Sequence, residues 1–171
     1  IDARLMVAAD SRFSATRRMM GIGAKMKDFG REMIVCNMRH QRPHNHTAQE
    51  CFYYGRTCAV LPLGEGVSSI VTTVPAARAR ELKELNDERF SREMEKMLDR
   101  RLGSMDLIST RHAYPLVGAY ADRFTGPRFA LIGDAAVGMH PVTAHGFNLG
   151  LRSAETLATQ IRGAASAGKD V

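Results

Sequence analysis

The sequence predicts an α/β protein with a mostly antiparallel sheet flanked by helices. Three observations lead to this prediction: closely spaced strand-like segments between residues 31 and 74, an amphipathic helix after them, and a strand-loop-helix segment near residue 130. The chain has 171 residues, 44% of them hydrophobic and 25% charged, which is typical of a globular protein with one sizeable core. Its longest apolar runs are far shorter than the roughly 20 residues that a membrane-spanning helix needs.

The first half of the chain is predicted to consist of strands. Residues 4–9 form a short apolar run that ends where Asp10 begins a polar loop, and residues 31–39 form a second strand. Three further strand-like stretches follow at residues 49–54, 58–63 and 68–74. The Gly64-Glu65-Gly66 segment between the last two suits a hairpin turn, because glycine tolerates positive φ. Strands this close together favour antiparallel pairing.

Two helices are predicted next. Pro75 suits the start of a helix over residues 76–85. Residues 87–102 carry a single apolar stripe on an otherwise charged helix, formed by Phe90, Met94, Met97, Leu98 and Leu102. The remaining predicted elements are strands at residues 109–116 and 128–132 and a last helix at residues 147–162.

The excess of positive charge lies near the N-terminus. The formal net charge is +6, and residues 1–42 alone hold nine basic and four acidic residues. Nucleic acid, acidic lipid or a phosphorylated ligand would each supply phosphates for these side chains, and a solvated loop is the alternative. The basic residues concerned are Arg12, Arg17, Arg18, Lys25 and Lys27. No zinc-finger, RNP or helix-turn-helix pattern accompanies them, so we expect no nucleic-acid partner.

The cysteines favour a reduced, cytoplasmic setting. There are three of them, an odd number without a Cys-x-x-Cys pair, so neither a disulfide framework nor a strong zinc signature is present. A cluster of potential zinc ligands does occur in the sequence, formed by Cys36, His40, His44, His46 and Cys51. Its spacing matches no closed zinc site, so we assign no metal ligands, and a zinc-binding interaction module remains an alternative.

The segment from residue 131 to residue 150 predicts a ligand-binding corner. An apolar strand leads into a Gly133-Asp134 turn, a loop containing Pro141 follows, and a helix starts near Gly146. A carboxylate at a strand end can accept hydrogen bonds from sugar or polyol hydroxyls. The N–H groups at a helix N-terminus favour negative charge, and small residues let a flat ligand approach the backbone.

This segment resembles the Gly-Asp motif of FAD-dependent aromatic hydroxylases, and specifically of the ubiquinone-biosynthesis hydroxylase family. The family pattern is roughly G-D-A-A-H-x-x-H-P-x-x-G-Q-G-x-N-x-G. The matching residues are Gly133, Asp134, Ala135, Ala136, His140, Pro141, Gly146, Asn148 and Gly150. Val137, Ala144 and His145 depart from the pattern. The sequence of residues 137–148, V-G-M-H-P-V-T-A-H-G-F-N, resembles that of one subgroup of the family.

A second resemblance lies near the N-terminus. Residues 7–17 are similar to the family's A-D-G-x-x-S-x-x-R segment, which lies near the pyrophosphates of FAD and NAD(P)H; Asp10, Ser14 and Arg17 match, and Ser11 replaces the usual glycine. Residues 59–64 look like the L-P-L segment of the sheet that covers the substrate. The resemblance thus covers nearly the whole chain. It implies parts of an FAD-binding domain at residues 1–30 and 118–171, and a substrate-side sheet domain at residues 31–117.

One part of the family pattern has no match. The family begins with a strand, G-x-G-x-x-G and a helix, whereas Gly21-Ile22-Gly23 lacks the third glycine and follows no clear strand. We therefore expect this chain to be a fragment without the N-terminal nucleotide-binding segment. On its own it should be inactive and should bind FAD weakly or not at all.

The resemblance implies an FAD-dependent monooxygenase with NAD(P)H as the reductant. In such enzymes O₂ and reduced FAD form a C4a-hydroperoxyflavin. The resemblance implies that this species hydroxylates a polyprenylated phenol or quinone precursor in ubiquinone biosynthesis. The cofactor-binding residues that it implies are Asp10, Arg17, Gly133, Asp134, Gly146, Phe147 and Asn148. The catalytic candidates are His140, Pro141 and His145: a histidine would contact the phenol, and the proline would shape the loop beside the flavin ring.

Other functions remain open at this stage. The motifs indicate FAD rather than a particular substrate, so another aromatic hydroxylase or a flavoprotein reductase would also fit. A non-enzymatic alternative is an inactive fragment that serves as an interaction module. For the enzyme, we expect a cytoplasmic location, and the open options are peripheral association with a membrane surface or a ubiquinone-biosynthesis complex, and formation of a homodimer.

Overall fold

The computed structural model describes residues 2–141 and 145–170. It divides into two compact units, a first unit formed by Ile1–Phe29 and Val117–Val171 and a second unit formed by Gly30–Leu116. In chain order the elements are β1 (Met6–Ala8), α1 (Ala15–Met19), β2 (Ala24–His40), β3 (Gln49–Tyr53), β4 (Arg56–Gly64), β5 (Val67–Pro75), α2 (Ala76–Glu84), α3 (Asp87–Met97), β6 (Met105–Leu107), β7 (His112–Ala121), β8 (Thr125–Gly126), β9 (Phe129–Leu131), β10 (Val137–Gly138) and α4 (Gly146–Ser166). The chain passes between the units inside β2 and inside β7.

The second unit is built on an antiparallel sheet. β3 pairs with β4, β4 with β5, and β5 with the later part of β2, whose last residues also pair with β6. Alternate residues point to one face, so Ile34 and Met38 are fully buried, and Val60 lies directly opposite Ile70 in the core. The predicted antiparallel sheet and its hairpin at Glu65 are confirmed.

Two helices cover the buried face of this sheet. Asn86 caps α3 by accepting a hydrogen bond from the Arg89 amide at 2.9 Å. The predicted apolar stripe is confirmed, since all its members are buried in the second unit's core, namely Phe90, Met94, Met97, Leu98 and Leu102. The helix itself ends earlier than predicted, at Met97, because Asp99 and Arg100 adopt left-handed φ values of 52° and 51°.

Several strand boundaries also differ from the sequence prediction. β2 begins at Ala24 rather than at residue 31, and its added residues from 25 to 28 are exposed, so they carry no alternation that would reveal a strand. β7 was predicted over residues 109–116, but it begins at His112 and continues to Ala121.

The first unit contains a small mixed sheet. β1 pairs in parallel with β9, placing Val7 opposite Ala130, and β9 pairs antiparallel with β8. β10 pairs with the end of β7. A small core packs around these strands and includes Ala8, Ile22, Phe129, Leu131 and Ala135. Although α4 has 21 residues, none of the residues in α4 is buried.

Candidate functional site

The predicted ligand-binding corner starts where β9 ends. The Ile132 amide donates a hydrogen bond to the Ala8 carbonyl oxygen at 3.0 Å, which continues the pairing of β1 and β9 by one residue. The chain then turns through a short 3₁₀ helix, Gly133–Ala135. Gly133 has a φ of +57°, a left-handed conformation that glycine adopts without the strain of a side chain. The motif therefore requires glycine at position 133 because of the backbone conformation there.

The start of α4 packs closely on this turn. A Cβ atom added to Gly150 would lie 3.7 Å from the Gly133 Cα, so the two glycines let helix and turn approach each other. The Ser153 hydroxyl accepts a hydrogen bond from the Gly133 amide at 3.2 Å and donates one to the Gly150 carbonyl at 2.7 Å. Sequence reasoning missed Ser153, although its position three residues after Gly150, on the same helix face, was a usable signal.

The Asp134 carboxylate is held at one of its two oxygen atoms. Its Oδ2 accepts a hydrogen bond from Arg12 Nη2 at 3.0 Å, forming a partly buried ion pair. Its Oδ1 lies 4.0 Å from the point where a Cβ of Gly146 would stand. Oδ1 accepts no hydrogen bond from the residues that the structure describes. Among the described residues, the carboxylate thus has one oxygen held by Arg12 and one without a hydrogen-bond donor, on the side of α4.

A cavity of about 310 Å³ lies beside this carboxylate, within the first unit. We call this cavity and its walls the Gly-Asp corner. Its lining residues are Ala9, Ile132, Gly133, Asp134, Gly146, Phe147, Gly150 and Leu151. Most of the wall is apolar or glycine, and Asp134 supplies the one ionisable group in that lining. Such a cavity suits a ligand with a flat apolar part and a hydroxyl-bearing part.

Asp10 and Ser14 organise the loop that follows β1. The Ser14 hydroxyl caps α1 by accepting a hydrogen bond from the Arg17 amide at 2.9 Å, and Asp10 accepts one from the Thr16 amide at 3.3 Å. Desolvation alone would raise the pKa of Asp10, but hydrogen bonds with the Ser14 side chain and with backbone amides outweigh it, so the pKa lies below its ordinary value. Asp10 is therefore a stable carboxylate in a structured loop.

Arg17 connects this loop to the Gly-Asp turn. Its side chain is buried, with 4% of the residue exposed, and its Nη1 donates to the Ala135 carbonyl at 2.8 Å. Its Nη2 donates to the Arg12 carbonyl at 3.2 Å, while its buried Nε has no hydrogen-bond partner among the described residues. The structure thus brings together two motifs that lie 118 positions apart in the sequence.

The remaining site candidates lie outside the cavity lining. The half-buried His140 ring meets the Phe29 ring edge-on at 4.9 Å, and Pro141 is exposed. His145 is exposed, and its carbonyl oxygen accepts a hydrogen bond from the Leu149 amide at 2.9 Å in the first turn of α4. Asn148 is exposed on that turn. Ala144, one of the departures from the motif, lies outside the described residues.

The zinc alternative finds no support in the second unit. His40 contacts the Ser68 hydroxyl and the Arg42 carbonyl through its two ring nitrogens, and His44 Nε2 contacts the Gly64 carbonyl at 2.7 Å. Burial raises the pKa of the Cys36 thiol to about 11, which disfavours the thiolate that zinc needs. Within residues 2–141 and 145–170, no group of three or more His, Cys, Asp or Glu side chains is arranged to hold a metal ion.

In the part of the chain that the structure describes, no helix combines sufficient length with sufficient hydropathy to cross a bilayer.

Comparison with known protein families identifies a match along the chain. A sequence profile described as "FAD binding domain" matches residues 1–169. The protein named ubiquinone hydroxylase UbiM from Neisseria meningitidis serogroup C is 53% identical over 171 residues, which are 100% of this chain and 37% of that protein. Ubiquinone hydroxylase UbiL from Rhodospirillum rubrum is 37% identical over 170 residues, 99% of this chain and 40% of that protein.

Solved structures share the fold. The crystal structure of aklavinone-11 hydroxylase with FAD and aklavinone superposes with a TM-score of 0.75 at 16% identity, covering 94% of this chain and 31% of that chain. At this level of identity the likeness concerns the fold alone, and it confirms the predicted α/β class. The chain spans about two fifths of the length of the two curated relatives. The resemblance noted from the Gly-Asp motif is confirmed: the matched profile is an FAD binding domain, and both relatives are named ubiquinone hydroxylases.

Proposed function

Because this chain belongs to the FAD binding domain family, we propose that it is part of an FAD-dependent monooxygenase of ubiquinone biosynthesis. The whole protein would use NAD(P)H and O₂ to hydroxylate a polyprenylated phenol or quinone precursor. The names of its relatives, both ubiquinone hydroxylases, support this substrate class. The observation that carries the proposal is the Gly-Asp corner, where the motif residues Gly133, Asp134 and Gly146 line one cavity.

The residues of the Gly-Asp corner fit FAD. The available Oδ1 of Asp134 can accept a hydrogen bond from a hydroxyl of the ribityl chain. Gly146 lines the space beside it, and a Cβ there would lie 4.0 Å from Oδ1, in ordinary van der Waals contact. FAD, when bound, supplies the electron transfer and the oxygen chemistry, and the protein binds and orients it.

The start of α4 would favour the electron-rich edge of the flavin ring. The N–H groups of Gly146, Phe147 and Asn148 belong to the first turn of a 21-residue helix, and such groups carry partial positive charge. Gly146 and Phe147 line the cavity that Asp134 also lines. We propose that these three amides stabilise negative charge on the ring, while Gly133 gives the turn its shape.

Asp10 and Arg17 would act on FAD through the loop between β1 and α1. Direct binding of a pyrophosphate by Arg17 is hard to reconcile with its burial, since its Nη1 and Nη2 both donate to carbonyl oxygens. We propose instead that Arg17 fixes the loop against the Gly-Asp turn. Asp10 keeps the loop folded through its bond to the Thr16 amide.

We propose that the three catalytic candidates lie near the substrate, namely His140, Pro141 and His145. Pro141 would shape the loop before α4, and one of the two histidines would hydrogen-bond the phenol or accept its proton. The edge-on contact with Phe29 fixes the orientation of the His140 ring.

A product assay on the full-length protein tests the function. The purified protein is incubated with NADH or NADPH, O₂ and a polyprenylated phenol, beside a soluble phenol without the tail. We expect the prenylated product to gain one oxygen atom, and the Asp134→Ala variant to bind FAD more weakly and to be less active. Hydroxylation of the soluble phenol alone, or NAD(P)H oxidation without product, would contradict the proposal and favour the other hydroxylase or the reductase.

A flavin titration of the 171-residue chain tests the fragment hypothesis. Since this chain covers about two fifths of its relatives, we propose that FAD binding requires further segments of the protein. We expect little or no binding to this segment and tight binding to the full-length protein. Tight binding by the segment would contradict the hypothesis.

We also propose peripheral membrane association and a dimer for the whole protein. A polyprenyl tail partitions into a bilayer, so the enzyme must reach the membrane surface or a complex that presents the substrate. Liposome flotation and light scattering of the full-length protein test these two proposals.

A further inference from the structure

We propose that Arg12 is a positioning residue for Asp134, holding one carboxylate oxygen so that the other faces FAD. This inference rests on the proposed function, in which Asp134 binds a hydroxyl of the cofactor. Arg12 lies outside the matched motif residues, and its place in a basic N-terminal region suggested a phosphate contact. The structure instead directs its guanidinium to a carboxylate of the protein itself.

The contacts of the Arg12 guanidinium fix its plane. Nη2 donates to Asp134 Oδ2 at 3.0 Å, and Nη1 donates to the Val117 carbonyl oxygen at 3.0 Å. Because the guanidinium is rigid and planar, these two bonds together set the direction from which Oδ2 is held. About a third of each side chain in the ion pair is exposed, so water screens the pair less than it screens a fully exposed one.

The backbone of Arg12 is also constrained. Its carbonyl oxygen accepts a hydrogen bond from the buried Arg17 at 3.2 Å. On the other side, a Cβ added to Gly138 would lie 2.7 Å from the Arg12 Cβ, closer than real Cβ contacts, so glycine at 138 makes room for Arg12. Main chain and side chain of Arg12 are therefore fixed before any ligand binds.

The consequence concerns the rotation of the Asp134 carboxylate. Without Arg12, either oxygen could turn toward the cavity, and the carboxylate would lose part of its order on the 3₁₀ turn. With Arg12, Oδ2 is occupied and Oδ1 lies on the Gly146 side, where the cavity opens. Arg12 thus improves FAD binding through Asp134 and without touching FAD.

A double-mutant cycle on FAD affinity tests this inference. Full-length wild type, Arg12→Met, Asp134→Ala and the double variant are stripped of FAD, and the dissociation constant is measured by quenching of flavin fluorescence. We expect Arg12→Met to weaken binding about tenfold, the scale of one charge-assisted hydrogen bond. In the Asp134→Ala background the same change should add no more than about twofold. A general structural role would not produce this coupling.

Two further variants complete the test. Arg12→Lys keeps a positive charge near Asp134 but loses the planar fork, so its affinity should lie between wild type and Arg12→Met, and it can replace Arg12→Met if that variant does not fold. Arg18→Met removes the same charge from an exposed neighbouring side chain and should leave affinity unchanged.

The outcomes distinguish the inference from the proposed function. Equal losses with Arg12→Met in both backgrounds, or no loss at all, would overturn the positioning role and leave the proposed function intact. Unchanged FAD affinity in Asp134→Ala would overturn the assignment of Asp134 in the proposed function, and the Arg12 inference with it.

Discussion

The core of the second unit and the Gly-Asp corner of the first are held together by different interactions. The second unit's core consists of apolar side chains such as Ile34, Phe90 and Met94, and its stability depends on volume and shape. The Gly-Asp corner depends on single hydrogen bonds, which Arg17 donates to the Ala135 carbonyl and the Ser153 hydroxyl accepts from the Gly133 amide, and on the backbone conformation of Gly133. Substitutions should therefore separate stability from FAD binding according to the region that they change.

The largest effect is expected in the apolar core. In the full-length protein, Phe90→Ala should lower the free energy of unfolding by about 3–5 kcal/mol, because it removes a fully buried ring. The FAD affinity of the remaining folded protein should not change. Urea unfolding measures the first effect and flavin titration the second. The control is Phe52→Ala, which removes a ring that is 63% exposed and should cost less than about 0.5 kcal/mol.

The next effect is expected at Arg17. Arg17→Met leaves the carbonyl oxygens of Ala135 and Arg12 without their donor, which should cost about 1–3 kcal/mol and also weaken FAD binding. The same two measurements apply, with the exposed Arg18→Met as the matched control. Loss of stability without loss of FAD affinity would mean that Arg17 serves the fold alone. It would contradict the expectation that substitutions at the Gly-Asp corner, unlike those in the apolar core, change FAD binding.

A smaller effect is expected at Gly133. Gly133→Ala places a Cβ on a residue with a φ of +57°, which should cost about 1–2 kcal/mol of backbone strain. Crowding is not the cause, since the nearest atom would be 4.0 Å away. Gly126→Ala, in open space within the same unit, is the control for thermal unfolding. Similar melting temperatures for the two variants would contradict the strain.

The smallest effect is a pH dependence in the second unit. A hydrogen bond from Lys96 outweighs burial and, with Arg78, lowers the pKa of Glu93 below its ordinary value of 4.5. A lowered pKa in the folded state adds stability above the unfolded value, and this stability is lost as the pH falls through the folded value. Wild type should therefore lose stability below about pH 4.5 more steeply than Glu93→Gln, as measured by urea unfolding against pH. Glu50→Gln, which changes an exposed carboxylate on β3, should keep the wild-type slope.

Periodicity in the sequence was enough to predict the helical part of the second unit's core. The stripe from Phe90 to Leu102 is a local pattern that burial imposes. The predicted end of α3 was wrong. Asp99 and Arg100 adopt left-handed φ values, and nothing in their sequence outweighs the apolar stripe that continues to Leu102.

The Gly-Asp corner was only partly predictable. Asp134 and its glycines lie in one contiguous motif, so a resemblance could identify them. The ion pair of Arg12 and Asp134 joins residues from two distant segments, and neither segment predicts that the other supplies its partner. The basic residues of the N-terminal region left a phosphate contact and a solvated loop open, and neither alternative pointed to Asp134 as the partner of Arg12, because the two residues meet only in the folded chain.

The division of the chain has a consequence for the order of folding during synthesis. The second unit is one uninterrupted segment, whereas β1 must wait for β9, which the ribosome delivers only after that segment is complete. Local pairings form faster than distant ones, so the nascent chain should acquire a folded sheet while β1 still lacks its partner β9. The edge of β1 that pairs with β9 stays open during this interval, which is when chaperones or aggregation would act on the nascent protein.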